Sequence, residues 1–313
     1  MSAVISREQW LADRKYYIGG SDEAALLGVS PWRTPLDVFL EKTGDATPFE
    51  GNDATYWGTR LEDVVAEEYA RRTGNKVRRR NAVLVHPEHD FLRANLDREI
   101  VGQKRILECK TAGLRSADSW GEDGTDQVPD YYLPQVAHYM AVTGATGADV
   151  AVLIGGQDFR IYHVERDLEL ERLVLERAVQ FWHDHVVPRV PPPPMSAQDV
   201  VRLFPSDDGN TVDATPEVAA AVQRLAEVRA QIKALQGDKD DPAPGTEAFL
   251  ANEVKTFLGS AAVLRGPNGK PMATWKAAKD ATRFDAKRFA AEHPDLFQQY
   301  QTTVAGARRF LLK

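Results

Sequence analysis

The chain is nearly devoid of cysteine: its 313 residues contain one, Cys109. This excludes a disulfide framework within the chain and any four-cysteine zinc or iron–sulfur site. No apolar run is long enough to span a bilayer, and the first residues lack the apolar core of a signal peptide. The expectation is a cytoplasmic protein with no membrane partner. An overall basic charge is also missing, since the formal net charge is −7 and the pI is about 5.6. A generally basic nucleic-acid binder is therefore not expected. No internal repeat or long low-complexity tract is present. What remains is 43% hydrophobic and 27% charged, the balance of a soluble globular chain with length for one large domain or two ordinary ones.

Global charge hides two local basic excesses. One is residues 71–80, Arg71-Arg72-Thr73-Gly74-Asn75-Lys76-Val77-Arg78-Arg79-Arg80. The other is residues 255–313, with eleven Lys/Arg against four Asp/Glu. Phosphate contacts depend on nearby Lys and Arg, but each stretch also reads more simply as a solvated face.

Residues 1–190 read as one mixed α/β unit. A helix is expected around residues 8–14. Ser21, within Gly19-Gly20-Ser21-Asp22-Glu23, is the predicted N-cap of a second helix, with acids in its first turn and Gly28 just past its end. A third begins in Ser30-Pro31-Trp32-Arg33-Thr34-Pro35 and stops at Gly44. A longer helix over 57–73 carries Leu61, Val64, Val65 and Tyr69 as its apolar stripe. Strand patterns over 82–86, 91–101 and 105–111 follow, then a polar loop and a helix over 129–142. Strands over 148–154 and 159–164 lead to a helix over 168–185. Such helices pack on a mixed sheet to cover its apolar faces. His86, His89 and His138 have no zinc spacing and are expected at the surface or at strand ends, and Trp120 is expected as a local packing anchor.

Pro188-Arg189-Val190-Pro191-Pro192-Pro193-Pro194 excludes helix and reads as a stiff polyproline spacer. The predicted division is residues 1–190, a Pro-rich linker with an amphipathic helical arm over 191–246, and a small basic α+β module over 247–313. That module is expected to hold a hairpin at 265–270 and a closing strand over 308–312.

Two stretches carry chemistry: Asn95-Leu96-Asp97-Arg98-Glu99-Ile100 and Arg105-Ile106-Leu107-Glu108-Cys109-Lys110. As adjacent short strands they bring Asp97, Glu108 and Lys110 together at a sheet edge. Alternation puts Ile106, Glu108 and Lys110 on one face and Leu107 and Cys109 on the other. Glu108 and Lys110 then stand about 7 Å apart, at about 3.3 Å per residue. Charged residues in an apolar strand cost stability unless they are paired or bound to a metal. Two carboxylates beside an ammonium suit a divalent cation and an activated water, which points to metal-dependent phosphodiester hydrolysis. The alternative is a solvated ion-pair hairpin. Acid-x-Lys triplets also occur at Asp13-Arg14-Lys15, Glu253-Val254-Lys255 and Asp285-Ala286-Lys287; Glu253 and Lys255 fall in a predicted helix, where positions i and i+2 do not share a face.

Gly19-Gly20-Ser21-Asp22, Gly58 with Glu62, Asn95-Leu96-Asp97, Glu108-Cys109-Lys110, and Pro129-Asp130-Tyr131-Tyr132-Leu133-Pro134-Gln135 with Tyr139 occur in that order. Over about residues 10–190 the set resembles the YqaJ-type viral recombinase family, relatives of phage lambda exonuclease within the PD-(D/E)XK nuclease superfamily. Leu96, not proline, precedes Asp97; members of this superfamily often lack that proline. The resemblance implies a restriction-endonuclease-like α/β core and a Mg²⁺-dependent exonuclease that resects the 5′ strand of linear duplex DNA. It implies that Asp97, Glu108 and the carbonyl of Cys109 bind the metals, two ions with Mn²⁺ as an alternative to Mg²⁺. Lys110 would position the attacking water and stabilise charge on the phosphate.

Glu62 resembles a helix-borne acid with a direct or water-mediated metal contact; the alternative is an exposed glutamate paired with Arg60 or another cation. Gln135, one helical turn from Tyr139, resembles a residue that orients the water or Lys110; the alternative is a surface amide beside a packing tyrosine. Ser21 and Arg14, with Arg33 in reserve and Tyr139 nearby, would hold a DNA 5′-phosphate, although Ser21 can serve as a cap alone. The implied partners are double-stranded DNA ends, a single-strand annealing protein and further copies of the chain in a ring-shaped trimer. Enclosure by a ring would keep an acidic protein on DNA. The competing readings are a restriction or defence endonuclease and a non-catalytic DNA-binding adaptor.

Overall fold

The computed structural model describes residues 13–46, 51–80, 82–303 and 306–312. The helix expected over 8–14 lies mostly outside them. The chain forms two compact units, Met1–Leu203 and Phe204–Lys313.

The first unit opens with a 3₁₀ turn, Arg14–Tyr16, and a short strand, β1 (Ile18–Gly19). Helix α1 (Gly20–Leu26) is capped at Gly19 rather than at the expected Ser21, because the Asp22 carboxylate reaches back to accept the Gly19 N–H at 3.1 Å. Ser21 thus lies inside the first turn with an exposed side chain. Helix α2 (Pro35–Thr43) starts on a reciprocal Thr34–Asp37 cap and ends on left-handed Gly44. Helix α3 (Asp53–Thr73) starts before the expected Trp57, because Asn52 and Thr55 cap each other through two 2.9 Å bonds. Of its expected stripe, Val65 and Tyr69 are buried, whereas Val64 is 49% exposed and Ala66 takes its place.

The remaining elements are β2 (Val77–Arg78), β3 (Leu84–Val85), β4 (Leu92–Ala94), β5 (Arg98–Ile100), β6 (Arg105–Ala112), α4 (Leu133–Thr143), β7 (Gly147–Ile154), β8 (Asp158–Glu165) and α5 (Leu168–Phe181). The main sheet runs β2-β5-β6-β7-β8, and a smaller one runs β1-β4-β3. Strand β6 is antiparallel to β5 and parallel to β7, with Glu108 opposite Val150 and Lys110 opposite Val152. The parallel pair requires a crossover, which α4 supplies. This is the mixed α/β architecture expected from the sequence. Two strand assignments change. Residues 82–86 contribute β3 to the small sheet, and the first strand of the main sheet is instead β2, inside the arginine-rich tract. Residues 91–101 are not one strand: the chain leaves the small sheet at Ala94 and enters the main sheet at Arg98, with Asn95-Leu96-Asp97 as the joint.

The two faces of the main sheet are both covered. Ile106, Val150 and Val152 pack under Val136, Tyr139 and Met140 of α4. Leu107, Cys109 and Ala151 pack under Val65, Ala66 and Tyr69 of α3. A third core joins α1, α2 and α5 through Leu26, Leu36, Phe39 and Phe181. After the proline-rich segment, helix α6 (Ala197–Leu203) belongs to this unit: its buried Asp199 accepts the Thr34 hydroxyl at 3.1 Å. The division therefore falls after Leu203 and not at 190.

In the second unit, α7 (Pro216–Gln236) and α8 (Glu247–Leu258) precede a hairpin of β9 (Val263–Arg265) and β10 (Pro271–Thr274), then α9 (Ala286–Glu292) and α10 (Pro294–Gln299). Residues 308–312 form no strand. Among the described residues no third strand pairs with the hairpin, which is two-stranded.

Helices α1 and α4 meet at Gly20. A Cβ there would stand 2.6 Å from Tyr139 Cε1 and 3.0 Å from the Gln135 carbonyl oxygen, so only glycine permits the approach. Gly20→Ala is expected to destabilise the unit by about 1–3 kcal/mol, as overpacking does, measured by urea unfolding. An unchanged midpoint would contradict the close contact.

Candidate active site

Strand β6 presents Glu108 and Lys110 toward α4, and the α4 residues facing them are Gln135 and Tyr139. The Lys110 ammonium donates to Glu108 Oε1 at 2.6 Å and to Gln135 Oε1 at 2.9 Å. The Gln135 amide donates in turn to Glu108 Oε1 at 2.7 Å and to the Tyr139 hydroxyl at 3.0 Å. Asp97, on the joint between the two sheets, accepts the Cys109 N–H at Oδ2, 2.8 Å. Asp97, Glu108, Lys110, Gln135 and Tyr139 are thereby brought into one group. Lys110 also stands over the Tyr132 ring, 4.7 Å from its centroid. The Cys109 side chain belongs to the core on the opposite face, so only its main chain can face the group.

The group is electrostatically loaded. Burial and the neighbouring Glu108 charge push the Asp97 carboxyl well above the ordinary carboxylate range, although Lys110 pulls the other way. Burial by itself would depress the Lys110 ammonium, yet Glu108 and Asp97 outweigh it and raise it. Asp97 Oδ1 and Glu108 Oε2 accept no hydrogen bond from the described residues.

Glu62 is turned elsewhere. Its Oε1 accepts from Arg98 at 2.7 Å and from Arg79 at 2.9 Å, while Arg98 also binds Asp63 and the Asp97 carbonyl. Among the described residues, no three His, Cys, Asp or Glu side chains are gathered to hold a metal ion. Mg²⁺, however, is usually bound through one or two carboxylates, with waters and substrate phosphates completing the shell. Asp97 and Glu108 fit that demand: each offers a hard carboxylate oxygen that accepts no hydrogen bond from the described residues.

A second polar cluster lies at the start of α1. Asp22 is fully buried, and its carboxylate meets Lys42 at 2.7 Å, Arg33 at 2.8 Å and Arg14 at 3.1 Å. Arg14 also reaches Ser21 Oγ at 3.4 Å and Glu41 at 3.1 Å. The structure thus brings Arg14, Ser21 and Arg33 together. Tyr139 lies with its ring against Gly20 and its hydroxyl on Gln135. Burial opposes ionisation of Asp22, but Lys42, Arg14 and Arg33 overcome it and hold the carboxyl well below the usual range.

Several residues differ from expectation or were not foreseen. His138 is fully buried and not a surface residue: its Nδ1 pairs with the buried Glu23 at 2.6 Å and its Nε2 with the Arg93 carbonyl at 3.0 Å. Its α4 position on the core-facing side could have signalled this. Trp120, by contrast, is the packing residue expected. The arginines of 71–80 are paired to acids, Arg71 and Arg72 with Glu68, Arg78 and Arg80 with Glu99, and Arg79 with Glu62. That tract is a balanced surface rather than an open cationic track. Asp22 and Arg98 stand inside the motif stretches but had no role assigned there, and Glu41 and Lys42 gave no motif signal.

Residues 9–146 match the model of the YqaJ-like viral recombinase domain. The chain is 34% identical to the YqaJ protein of Bacillus subtilis over 320 aligned positions, covering 100% of this chain and 96% of that one. It is 26% identical to the R354 protein of Acanthamoeba polyphaga mimivirus over 44% of this chain and 26% of that one. Among solved structures, it is similar to an alkaline exonuclease from Laribacter hongkongensis, with a TM-score of 0.48 and 17% identity over 58% of this chain and 94% of that one. A phage-related exonuclease from Haemophilus somnus gives a TM-score of 0.41 and 15% identity over 55% and 96%. The chain belongs to the YqaJ-like viral recombinase family.

The Asp22 cluster yields a stability test. A depressed folded-state carboxyl contributes stability above its unfolded value of about 3.9 and loses it as pH falls. Asp22→Asn is expected to cost about 3–5 kcal/mol at neutral pH, with the gap to wild type narrowing below about pH 4, measured by denaturant unfolding across pH. A pH-independent gap would contradict the ionised assignment.

Proposed function

We propose that the chain is a Mg²⁺-dependent deoxyribonuclease that resects the 5′ strand of linear duplex DNA from its ends and leaves a 3′ single strand. The observation that carries this reading is the hydrogen-bonded group of Glu108, Lys110 and Gln135 with Asp97 beside it, in a chain of the YqaJ-like viral recombinase family.

Asp97 and Glu108 would hold the ion through Oδ1 and Oε2, with the Cys109 carbonyl and, after release from its arginines, Glu62 as further oxygen donors. A bound divalent ion, Mg²⁺ or Mn²⁺, singly or as a pair, supplies Lewis-acid stabilisation of the phosphoryl oxygens and a more acidic attacking water. Lys110 donates to a non-bridging phosphate oxygen, where charge builds as water adds to phosphorus. Gln135 fixes the direction of that ammonium through its carbonyl oxygen, and Tyr139 fixes Gln135. The bond to O3′ of the terminal nucleotide breaks, a mononucleotide departs, and the shortened strand carries a new 5′-phosphate. Arg14 and Ser21, with Arg33, would receive that phosphate, exchanging part of their hold on Asp22 and Glu41. Capture of each new end favours repeated cuts on one strand. A ring of copies around DNA and a single-strand annealing protein for the exposed 3′ strand complete the reading, with action in the cytoplasm, that of the host cell if the chain is phage-encoded.

The test is a time course on end-labelled duplexes bearing 5′-phosphate or 5′-hydroxyl ends, with covalently closed circles as control. In Mg²⁺ the 5′-phosphorylated strand is expected to shorten while its complement and the circles persist, and chelation is expected to stop the reaction. Lys110→Ala is expected to be slower by about 100-fold or more. Cutting of circles would support an endonuclease instead, and a Lys110→Ala rate equal to wild type would falsify the site.

A further inference from the structure

A row of rings leads from Lys110 to solvent. Lys110 Nζ lies 4.7 Å from the Tyr132 centroid, Tyr132 lies 4.6 Å from Tyr131, and Tyr131 meets Trp32 edge to face at 4.8 Å. Tyr131 and Tyr132 are half-buried, whereas Trp32 is 68% exposed, which leaves an indole face open to water.

Trp32 is not a loose surface residue. Ser30 Oγ accepts the N–H groups of both Trp32 and Arg33, at 3.3 and 3.2 Å. Arg33 is pinned by Asp22 at 2.8 Å and Glu41 at 2.7 Å, and Thr34 caps α2. The backbone on either side of Trp32 is therefore fixed while its ring stays wet. Single exposed apolar residues are ordinary. A preorganised tryptophan at the outer end of a ring row, whose inner end is the lysine of the candidate site, calls for an occupant with a flat face. Its sequence neighbour Arg33 belongs to the cluster that also holds Arg14 and Ser21. A ligand lying along the row thus meets an ammonium at its inner end and aromatic surface beyond it, the pairing that a nucleotide's phosphate and base require.

We infer that Trp32, backed by Tyr131, is a stacking site for an unpaired nucleobase of the strand whose phosphate lies at Lys110; this rests on the nuclease reading above. Every base has a π-face, so stacking of this kind is tolerant of sequence. It would hold the end nucleotide out of the duplex while its phosphate is engaged.

The experiment measures binding of 5′-phosphorylated duplexes to the full chain by fluorescence anisotropy, with Ca²⁺ in place of Mg²⁺ to suppress turnover. Two probes are compared, one with a mismatched terminal nucleotide and one with an abasic terminal nucleotide. Wild type is expected to prefer the base-bearing end by about tenfold, within the range of stacking on an aromatic side chain. Trp32→Ala is expected to lose that preference with an unchanged melting temperature, and Trp32→Phe to keep most of it. Equal preference in Trp32→Ala and wild type, or no preference in wild type, overturns the inference while leaving the nuclease reading intact. No binding of either probe by wild type contradicts the nuclease reading, and the stacking site falls with it.

Discussion

The site depends on keeping negative charge where water is scarce. Asp97, just before β5, and Glu108, on the central strand β6 rather than at the expected sheet edge, share one site, and burying like charges together is costly unless a cation shares the space. Lys110 meets part of that demand from the same strand face, and Gln135 locks it in place from the facing helix. Burial first, and then the Glu108 charge, raise the Asp97 carboxyl against the pull of Lys110. A divalent ion would remove that imbalance.

The rest of the first unit serves to hold these groups. Parallel pairing of β6 with β7 forces a crossover, and the crossover helix α4 brings Gln135 and Tyr139 over β6. Gly20 lets α1 press against that helix, and the buried Glu23–His138 contact ties the two together away from solvent. Helix α1 therefore carries the Arg14–Ser21 cluster at a fixed position relative to the lysine. In that sense the phosphate-binding candidates and the candidate hydrolytic group are one construction.

How much of this was legible in the sequence follows from the range of the forces involved. Strand alternation in 105–112 revealed the faces of Glu108, Cys109 and Lys110, because that pattern is local. Helix ends at Gly28 and Gly44 were legible for the same reason. The Asn52–Thr55 cap was present in the sequence but hidden before a run of aromatics, so α3 began earlier than expected. The split of 91–101 between two sheets was not legible, since β propensity does not reveal which neighbour a strand pairs with. Asp22 holds Lys42 and Arg33 across helices, and no spacing rule reports such contacts. The spacing of His138 gives no metal site and suggests the surface, yet a buried carboxylate from another helix accounts for its burial. The arginine tract appeared cationic because the acids that neutralise it, Glu62, Glu68 and Glu99, come largely from other segments.

The most direct measurement is anomalous diffraction from crystals of the chain soaked in Mn²⁺. A peak within coordination distance of both Asp97 Oδ1 and Glu108 Oε2, weakened or lost in Asp97→Asn crystals, is the expected result. Crystals saturated with Mn²⁺ that show no peak between the two carboxylates, or bind the ion at only one of them, would contradict the shared cation site.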